Sequence, residues 1–244
     1  MPRRGESAEP TAADLARAVR AEFDTVSAHL ERLRNEFTRS YQGRSLHEED
    51  LAAAKEEALA TLPGLTHAIG IGFVVAPDVI CGQQSFLLWF QRHADRIGRL
   101  RLNLDPSDVD VYNYHVMDWY RLARDEGRRV AYGPYVDYSG SDHVTITLSL
   151  PMVVGGAFLG VVGADLSLVT LERRWIATLR SSSLDAVLVN SERRVVVTNA
   201  TRWVISERLR SAPRAGDGTF VDAAELTDGT GWRVCLAIPT AETP

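Results

Sequence analysis

A chain of 244 residues, 45% hydrophobic and 24% charged, can bury a substantial core, as one large domain or two small ones. Its formal net charge of -5, from 27 Lys+Arg against 32 Asp+Glu, without a concentrated basic stripe, argues against a nucleic-acid-binding surface. The two cysteines, Cys81 and Cys235, lie far apart in sequence and exclude a disulfide framework, so both read as reduced thiols.

The chain starts with the basic Met1-Pro2-Arg3-Arg4, but a polar, Ala-rich stretch follows in place of the apolar run of a signal peptide. Residues 1–10 read as a disordered leader. From Leu15 the apolar positions Leu15, Val19, Phe23, Val26, Leu30, Leu33, Phe37 and Tyr41 recur in steps of three and four. That is one continuous stripe on a long helix, ended by Gly43. A second helix is expected from Ser45, with Glu48 completing a capping box, to Leu62 before Pro63-Gly64. The stripe needs a partner face, either the following domain or a second subunit in a homodimer, and the sequence does not separate the two.

Past Gly64 the pattern turns to strands. Ala68–Val75 and Phe86–Gln91 are two; Val144–Leu150, alternating Thr145, Thr147 and Ser149 with Ile146, Leu148 and Leu150, reads as half-buried. Gly155-Gly156 marks a turn, Ala157–Ala164 returns as a buried strand, and Asp165 sits at its end. The run from Met152 to Leu168 is interrupted by four glycines and Asp165, too broken to span a bilayer. A cytoplasmic protein without a membrane segment is expected. Ser167 can cap a helix whose apolar face is Leu168, Leu171, Trp175 and Leu179. A smaller module follows: a hairpin from Ala186–Asn190 and Val195–Thr198, then strands at Phe220-Val221 and Trp232–Ile238 around a turn at Asp228-Gly229.

Candidate chemistry concentrates between Tyr112 and Asp137. Tyr112, Tyr114, His115, Asp118, Trp119, Tyr120, Tyr132, Tyr135 and Asp137 fall there, including five of the seven tyrosines. Aromatic faces attract a cation through the ring quadrupole, and carboxylates supply counter-charge and accept N–H bonds. The plain alternative is a core filled by Tyr and Trp with their polar ends satisfied at its edge.

Four segments narrow the choice: Asp118-Trp119-Tyr120-Arg121, Tyr132-Gly133-Pro134-Tyr135-Val136-Asp137, Thr145 to Pro151, and Gly160 to Leu168. Together they resemble the membrane-distal half of double Cache sensor domains. The resemblance implies an α/β (α+β) fold: long N-terminal helices (11–62), a ligand-binding PAS-like antiparallel-sheet module (63–167), a linking helix (168–182) and a smaller PAS-like module (183–244). Within that family the chain is similar to an amino-acid-binding subset, whose pattern falls here on Tyr112, Trp119, Tyr120, Tyr135, Asp137 and Asp165. By that likeness Trp and Tyr line the ligand while Tyr and Asp side chains hold its amino group, Asp165 foremost. The alternative for Asp165 is a cap beside Ser167.

The pattern departs at Met117, two residues before Trp119, where the subset carries a carboxylate-gripping Arg. Arg offers a planar fork for a carboxylate; Met offers only an adaptable apolar wall. Arg121 and Arg124 are expected to face elsewhere. The implied ligand is therefore an amine without an α-carboxylate: a biogenic amine, a polyamine or a quaternary ammonium compound.

No metal or cofactor is expected, because His115 and His143 lack spaced partners. Asp142-His143 near Ser139 and Ser141 makes no catalytic elbow, and Gly70-Ile71-Gly72 makes no dinucleotide loop. Trp89 is assigned to either pocket or core and is not counted in the site. The expectation is a non-enzymatic sensor that signals through a partner protein such as a transcription regulator. An enzyme of amine or amino-acid metabolism, and a structural dimerisation module with an unused pocket, are the alternatives.

Overall fold

The computed structural model describes residues 8–93, 96–138, 143–226 and 230–239. The first seven residues of the expected leader, the loop with Ser139, Ser141 and Asp142, and the expected turn at Asp228-Gly229 lie outside the described residues. The chain divides into two compact units, Phe23–Leu171 and Met1–Glu22 together with Glu172–Pro244.

The long helix is α1, Ala12–Ser40. Leu15, Val19, Phe23, Val26, Leu30, Leu33 and Phe37 are all at most 3% exposed, so the stripe is buried within the single chain. A second subunit is not what covers it, and the homodimer expected on that face loses its surface. The capping box at Ser45 does not form. The Ser45 hydroxyl donates instead to the Asp78 carbonyl at 2.9 Å, and the turn starts two residues later. There the His47 N–H donates to Asp50 Oδ2 at 2.8 Å, a short 3-10 turn covers Glu48–Leu51, and α2 runs over Ala52–Thr61.

The unit Phe23–Leu171 holds a six-stranded sheet. Its strands are β1 (Ala68–Val75), β2 (Phe86–His93), β3 (Arg96–Arg99), β4 (Val130–Val136), β5 (Val144–Val154) and β6 (Ala157–Ser167). They are ordered β3-β2-β1-β6-β5-β4, every pair antiparallel. β3 and β4 have no counterpart in the sequence reading, because neither alternates. One sheet face carries Ile71, Phe73, Leu88, Phe90, Leu148 and Ala164, all buried, and α1 meets it where Phe37 packs edge-to-face on Phe73 at 5.0 Å.

The opposite face carries the site. Side chains paired across antiparallel strands point the same way, so the register defines three rows here. Leu87, Val74 and Val161 make one; Gln91, Gly70, Asp165, Thr147 and Tyr132 make another. Between them runs Trp89, Gly72, Gly163 and Ser149. Helix α3, Asp118–Glu126, turns Trp119, Tyr120 and Ala123 inward and ends on Gly127 in the left-handed conformation. β5 is accordingly buried on both faces, not half-exposed: Thr145, Thr147 and Ser149 are at most 1% exposed.

The second unit carries α4 (Leu168–Leu179) from Glu172 onward and a four-stranded antiparallel sheet. Its strands are β7 (Asp185–Val189), β8 (Val195–Thr198), β9 (Asp222–Glu225) and β10 (Arg233–Ala237), in the order β8-β7-β10-β9. The strand expected at Phe220-Val221 begins at Asp222, because Phe220 stacks on Trp203 at 5.6 Å and fills the core. Trp175 of α4 packs against Trp232 at 6.2 Å. Glu9, assigned to the leader by sequence, accepts hydrogen bonds from Ser182 Oγ and the Ser183 N–H, both at 2.7 Å. Both cysteines are free, and no helix among the described residues is long and apolar enough to cross a membrane.

Candidate ligand-binding site

A narrow cavity of about 20 Å³ opens on the Asp165 face of the six-stranded sheet. The sheet supplies Val74, Leu87, Trp89, Thr147 and Asp165, with Tyr135 and Asp137 from β4 and its end. Leu100, Leu102 and Tyr112 come from the segment after β3, and Trp119 from α3. That segment is held at both ends: the Leu100 N–H donates to the Trp89 carbonyl at 2.8 Å and the Tyr112 N–H to the Asn103 carbonyl at 2.7 Å.

Five of the seven sequence-predicted site residues meet here: Tyr112, Trp119, Tyr135, Asp137 and Asp165. Met117 and Tyr120 do not line the cavity. Met117 sits at the start of α3, where its carbonyl accepts from the Tyr120 and Arg121 N–H groups, and its side chain packs against the aromatic cluster. Tyr120, 1% exposed, packs edge-to-face on Tyr114 and Phe158 at 5.4 and 5.6 Å and meets the Trp119 ring edge-to-face at 6.1 Å, outside the cavity lining. Arg121 and Arg124 face solvent as expected, beside Asp118 and Asp125.

Two tyrosines from the same cluster are structural. Tyr114 is fully buried, donates to the Val75 carbonyl at 2.7 Å and accepts from the Phe86 N–H at 3.0 Å; burial pushes its phenol up to about 12. Tyr132 donates to Asp118 Oδ2 at 3.0 Å. His115 pairs with Ser85 Oγ at 3.1 Å.

β4 brings its polar groups to the cavity through an irregularity. The pairing with β5 shifts between Tyr132, opposite Thr147, and Tyr135, opposite Thr145. The extra residue puts both tyrosines on one face, their rings 5.6 Å apart, and Asp137 follows two residues on. Asp165 lies inside β6, two residues before its end, and is 6% exposed. The cap beside Ser167 is therefore not its role; Ser167 itself accepts from the Thr170 N–H at 3.4 Å.

A chain of hydroxyls organises these groups. Thr147 Oγ1 donates to Asp165 Oδ1 at 2.7 Å, and Tyr135 Oη lies 2.7 Å from Thr147 Oγ1. A hydroxyl has one proton, so with Thr147 donating to the carboxylate, Tyr135 must donate to Thr147. The remaining lone pairs of the Tyr135 oxygen are then free to accept from a ligand. Burial first, then the Asp165 charge, holds the Tyr112 and Tyr135 phenols well above their ordinary range, so both stay protonated. Burial also raises the Asp165 carboxyl to about 7, the Thr147 hydrogen bond works against this, and the charge of Asp137 adds to it.

Thr147 and Trp89 line the cavity, and sequence reasoning left both outside the site. For Thr147 the signal was present in the alternation of β5, but its polar face was assigned to solvent. Thr147→Val, which keeps the shape and removes the hydroxyl, is expected to weaken binding of a cationic ligand about fivefold, the loss of roughly one hydrogen bond. It should also move the pH midpoint of binding upward, because ionised Asp165 loses a donor. Calorimetric titration across pH tests both; Thr147→Ser should restore them.

The comparisons with known proteins agree with this geometry. The family model for the methyl-accepting chemotaxis protein-like first PDC sensor domain matches residues 61–173, the segment that contains every residue lining the cavity. No curated protein sequence matches the chain. Solved structures with the same fold include the ligand-binding domain of Campylobacter jejuni chemoreceptor Tlp3 in complex with L-valine, at 12% identity and TM-score 0.61 over 94% of this chain and 91% of that one. The ligand-binding domain of Pseudomonas fluorescens chemoreceptor CtaA in complex with L-serine gives 17% identity and TM-score 0.60 over 92% of each chain. That of the Pseudomonas aeruginosa PAO1 amino acid chemoreceptor PctC in complex with GABA gives 18% and 0.55 over 92% and 95%. The chain thus shares its fold with these ligand-binding domains, and the cavity lies in the part that the family model matches.

Proposed function

We propose that the chain is a ligand-binding sensor domain for a small organic cation that lacks an α-carboxylate: a biogenic amine, a polyamine or a quaternary ammonium compound. One observation carries this reading. The cavity is lined by two carboxylates, Asp137 and Asp165, and by four aromatic rings, and among the described residues no Arg, Lys or His lines it. Aromatic faces and carboxylates attract a cation, whereas a ligand carboxylate there would meet two like charges and no donor fork. The position two residues before Trp119, where the amino-acid-binding pattern has Arg, is Met117 and lies off the cavity. The sensor output would pass to a partner protein or domain.

In the bound state Asp165 and Asp137 would offset the charge. The Tyr135 oxygen would accept an N–H where the ligand has one, and Trp119, Tyr112 and Trp89 would supply ring faces.

A thermal-shift panel of primary amines, polyamines, quaternary amines and α-amino acids tests the proposal. A specific binder present at a hundred times its Kd should stabilise by about 2.7 kcal/mol. Stabilisation by amines and not by amino acids, with the ligand recovered unchanged after prolonged incubation, supports it. Stabilisation by α-amino acids overturns the ligand class, turnover of the amine favours an enzyme, and silence across the panel removes the sensor reading.

A further inference from the structure

Trp89 has an unusual setting for a core tryptophan. It is 5% exposed and lines the cavity, yet its indole Nε1–H has no hydrogen-bond partner. Gln91 Nε2 and Ser149 Oγ on the same sheet face are also without partners, but neither lines the cavity. A buried donor left unpaired is costly, and such groups in native proteins call for an explanation.

The sheet beneath Trp89 is shaped to hold the ring in this orientation. A Cβ on Gly70 would lie 2.5 Å from Trp89 Nε1, and one on Gly163 would lie 3.2 Å from Cη2. At Gly72, opposite Trp89, a Cβ would come within 2.7 Å of the Trp89 Cα. Gly72 thus lets the β1 and β2 backbones approach, while Gly70 and Gly163, on two neighbouring strands, clear a floor across which the indole lies. Its benzo edge rests over Gly163 and its N–H edge over Gly70. Gly70 is the direct cross-strand partner of Asp165, so the donor edge lies at the Asp165 end of the cavity. The N–H is near enough to favour the charged form of that carboxylate slightly, without reaching hydrogen-bond geometry.

We infer that Trp89 is a further specificity-determining residue, and that the ligand carries a neutral hydrogen-bond acceptor, a hydroxyl, ether or carbonyl oxygen, a short chain away from its cationic nitrogen. This rests on the amine reading above and narrows it. Asp165, Asp137 and Tyr135 present acceptors to the cationic end. Among the described residues Trp89 Nε1 is a buried donor at the cavity without a partner, and the two carboxylates disfavour an anionic acceptor there. Amino alcohols and their quaternary counterparts have this chemistry, whereas simple alkylamines have only half of it.

The test uses matched pairs of equal shape: ethanolamine against propylamine, and choline against propyltrimethylammonium, titrated calorimetrically into the wild-type chain and into Trp89→Phe. In the wild type, the oxygen-bearing member of at least one pair should bind about fivefold tighter or more, the worth of one buried hydrogen bond. Trp89→Phe keeps a ring and removes the N–H, so it should erase that ratio while the alkyl member still binds. Gly70→Ala, which places a methyl against Nε1, should erase it too and serves if Trp89→Phe does not fold. Equal affinities within each pair in the wild type, or a ratio that survives in the variants, would overturn the role of Trp89 and leave the amine reading standing. Failure of all four cations to bind would remove both.

Discussion

Asp165→Asn is expected to lower affinity for a cationic ligand about a hundredfold, roughly 3 kcal/mol, while making the ligand-free protein more stable at neutral and alkaline pH. The two effects have one cause. Asp165 sits within β6, 6% exposed, with Thr147 the hydrogen-bond donor to its carboxylate. An ionised carboxylate so placed is poorly solvated unless a counter-charge arrives, and its carboxyl is raised to about 7 by burial first. In the proposed reading a cationic ligand supplies the counter-charge. Replacing the acid by its neutral isostere removes a charge-assisted contact, worth about 1.5–3 kcal/mol, together with the electrostatic attraction that accompanies it. The same change removes the cost of burying a charge. Unfolding in denaturant at pH 8, with and without a quaternary ammonium probe, separates the two. A variant that binds as tightly as the wild type would remove Asp165 from the cation site.

The second expectation concerns pH. A carboxyl whose folded value is raised above its ordinary 3.8 to about 7 binds more protons in the folded state than in the unfolded state throughout that interval. Relative to a side chain that stays neutral, it therefore costs nothing below about pH 4, more as pH rises, and the full penalty above about pH 7. For a shift of this size the penalty is on the order of 4 kcal/mol. It is best read as the wild-type stability minus that of Asp165→Asn, since other groups titrate in the same range and cancel in the difference. Ligand affinity runs the other way. A cation binds the ionised acid, so the apparent affinity should fall about tenfold per pH unit below pH 7 and level off above it. A quaternary ammonium probe is the right reporter because its own charge does not titrate. Binding that is flat between pH 5 and 8 would mean that Asp165 is already ionised in the free protein or does not meet the cation.

The apolar repeat of α1, the β1 strand and the α4 face were legible because each follows a period, 3.6 or 2, that burial imposes on neighbouring residues. The site was legible to the extent that its members crowd one stretch: Tyr112, Trp119, Tyr135 and Asp137 lie within 26 residues of each other and the resemblance added Asp165. Tyr120 shared that stretch and the same resemblance, yet lies off the cavity, because adjacent helical residues point about 100° apart and only Trp119 faces it.

Sequence by itself grouped most of the aromatic and acidic residues that line the cavity, and the resemblance, through its departure at Met117, raised the expectation of a ligand without a carboxylate. Tertiary structure decided the rest. Thr147 and Asp165 are 18 residues apart, and only the β5–β6 register places one hydroxyl on the other's carboxylate. The irregularity in β4 turns Tyr135 and Asp137 toward the same face as Thr147. Trp89 becomes part of the cavity because Gly70 and Gly163, on two other strands, leave room for its ring. Strand pairing is a long-range choice made by the whole sheet, so no local pattern around any one of these residues could have shown where its side chain would point.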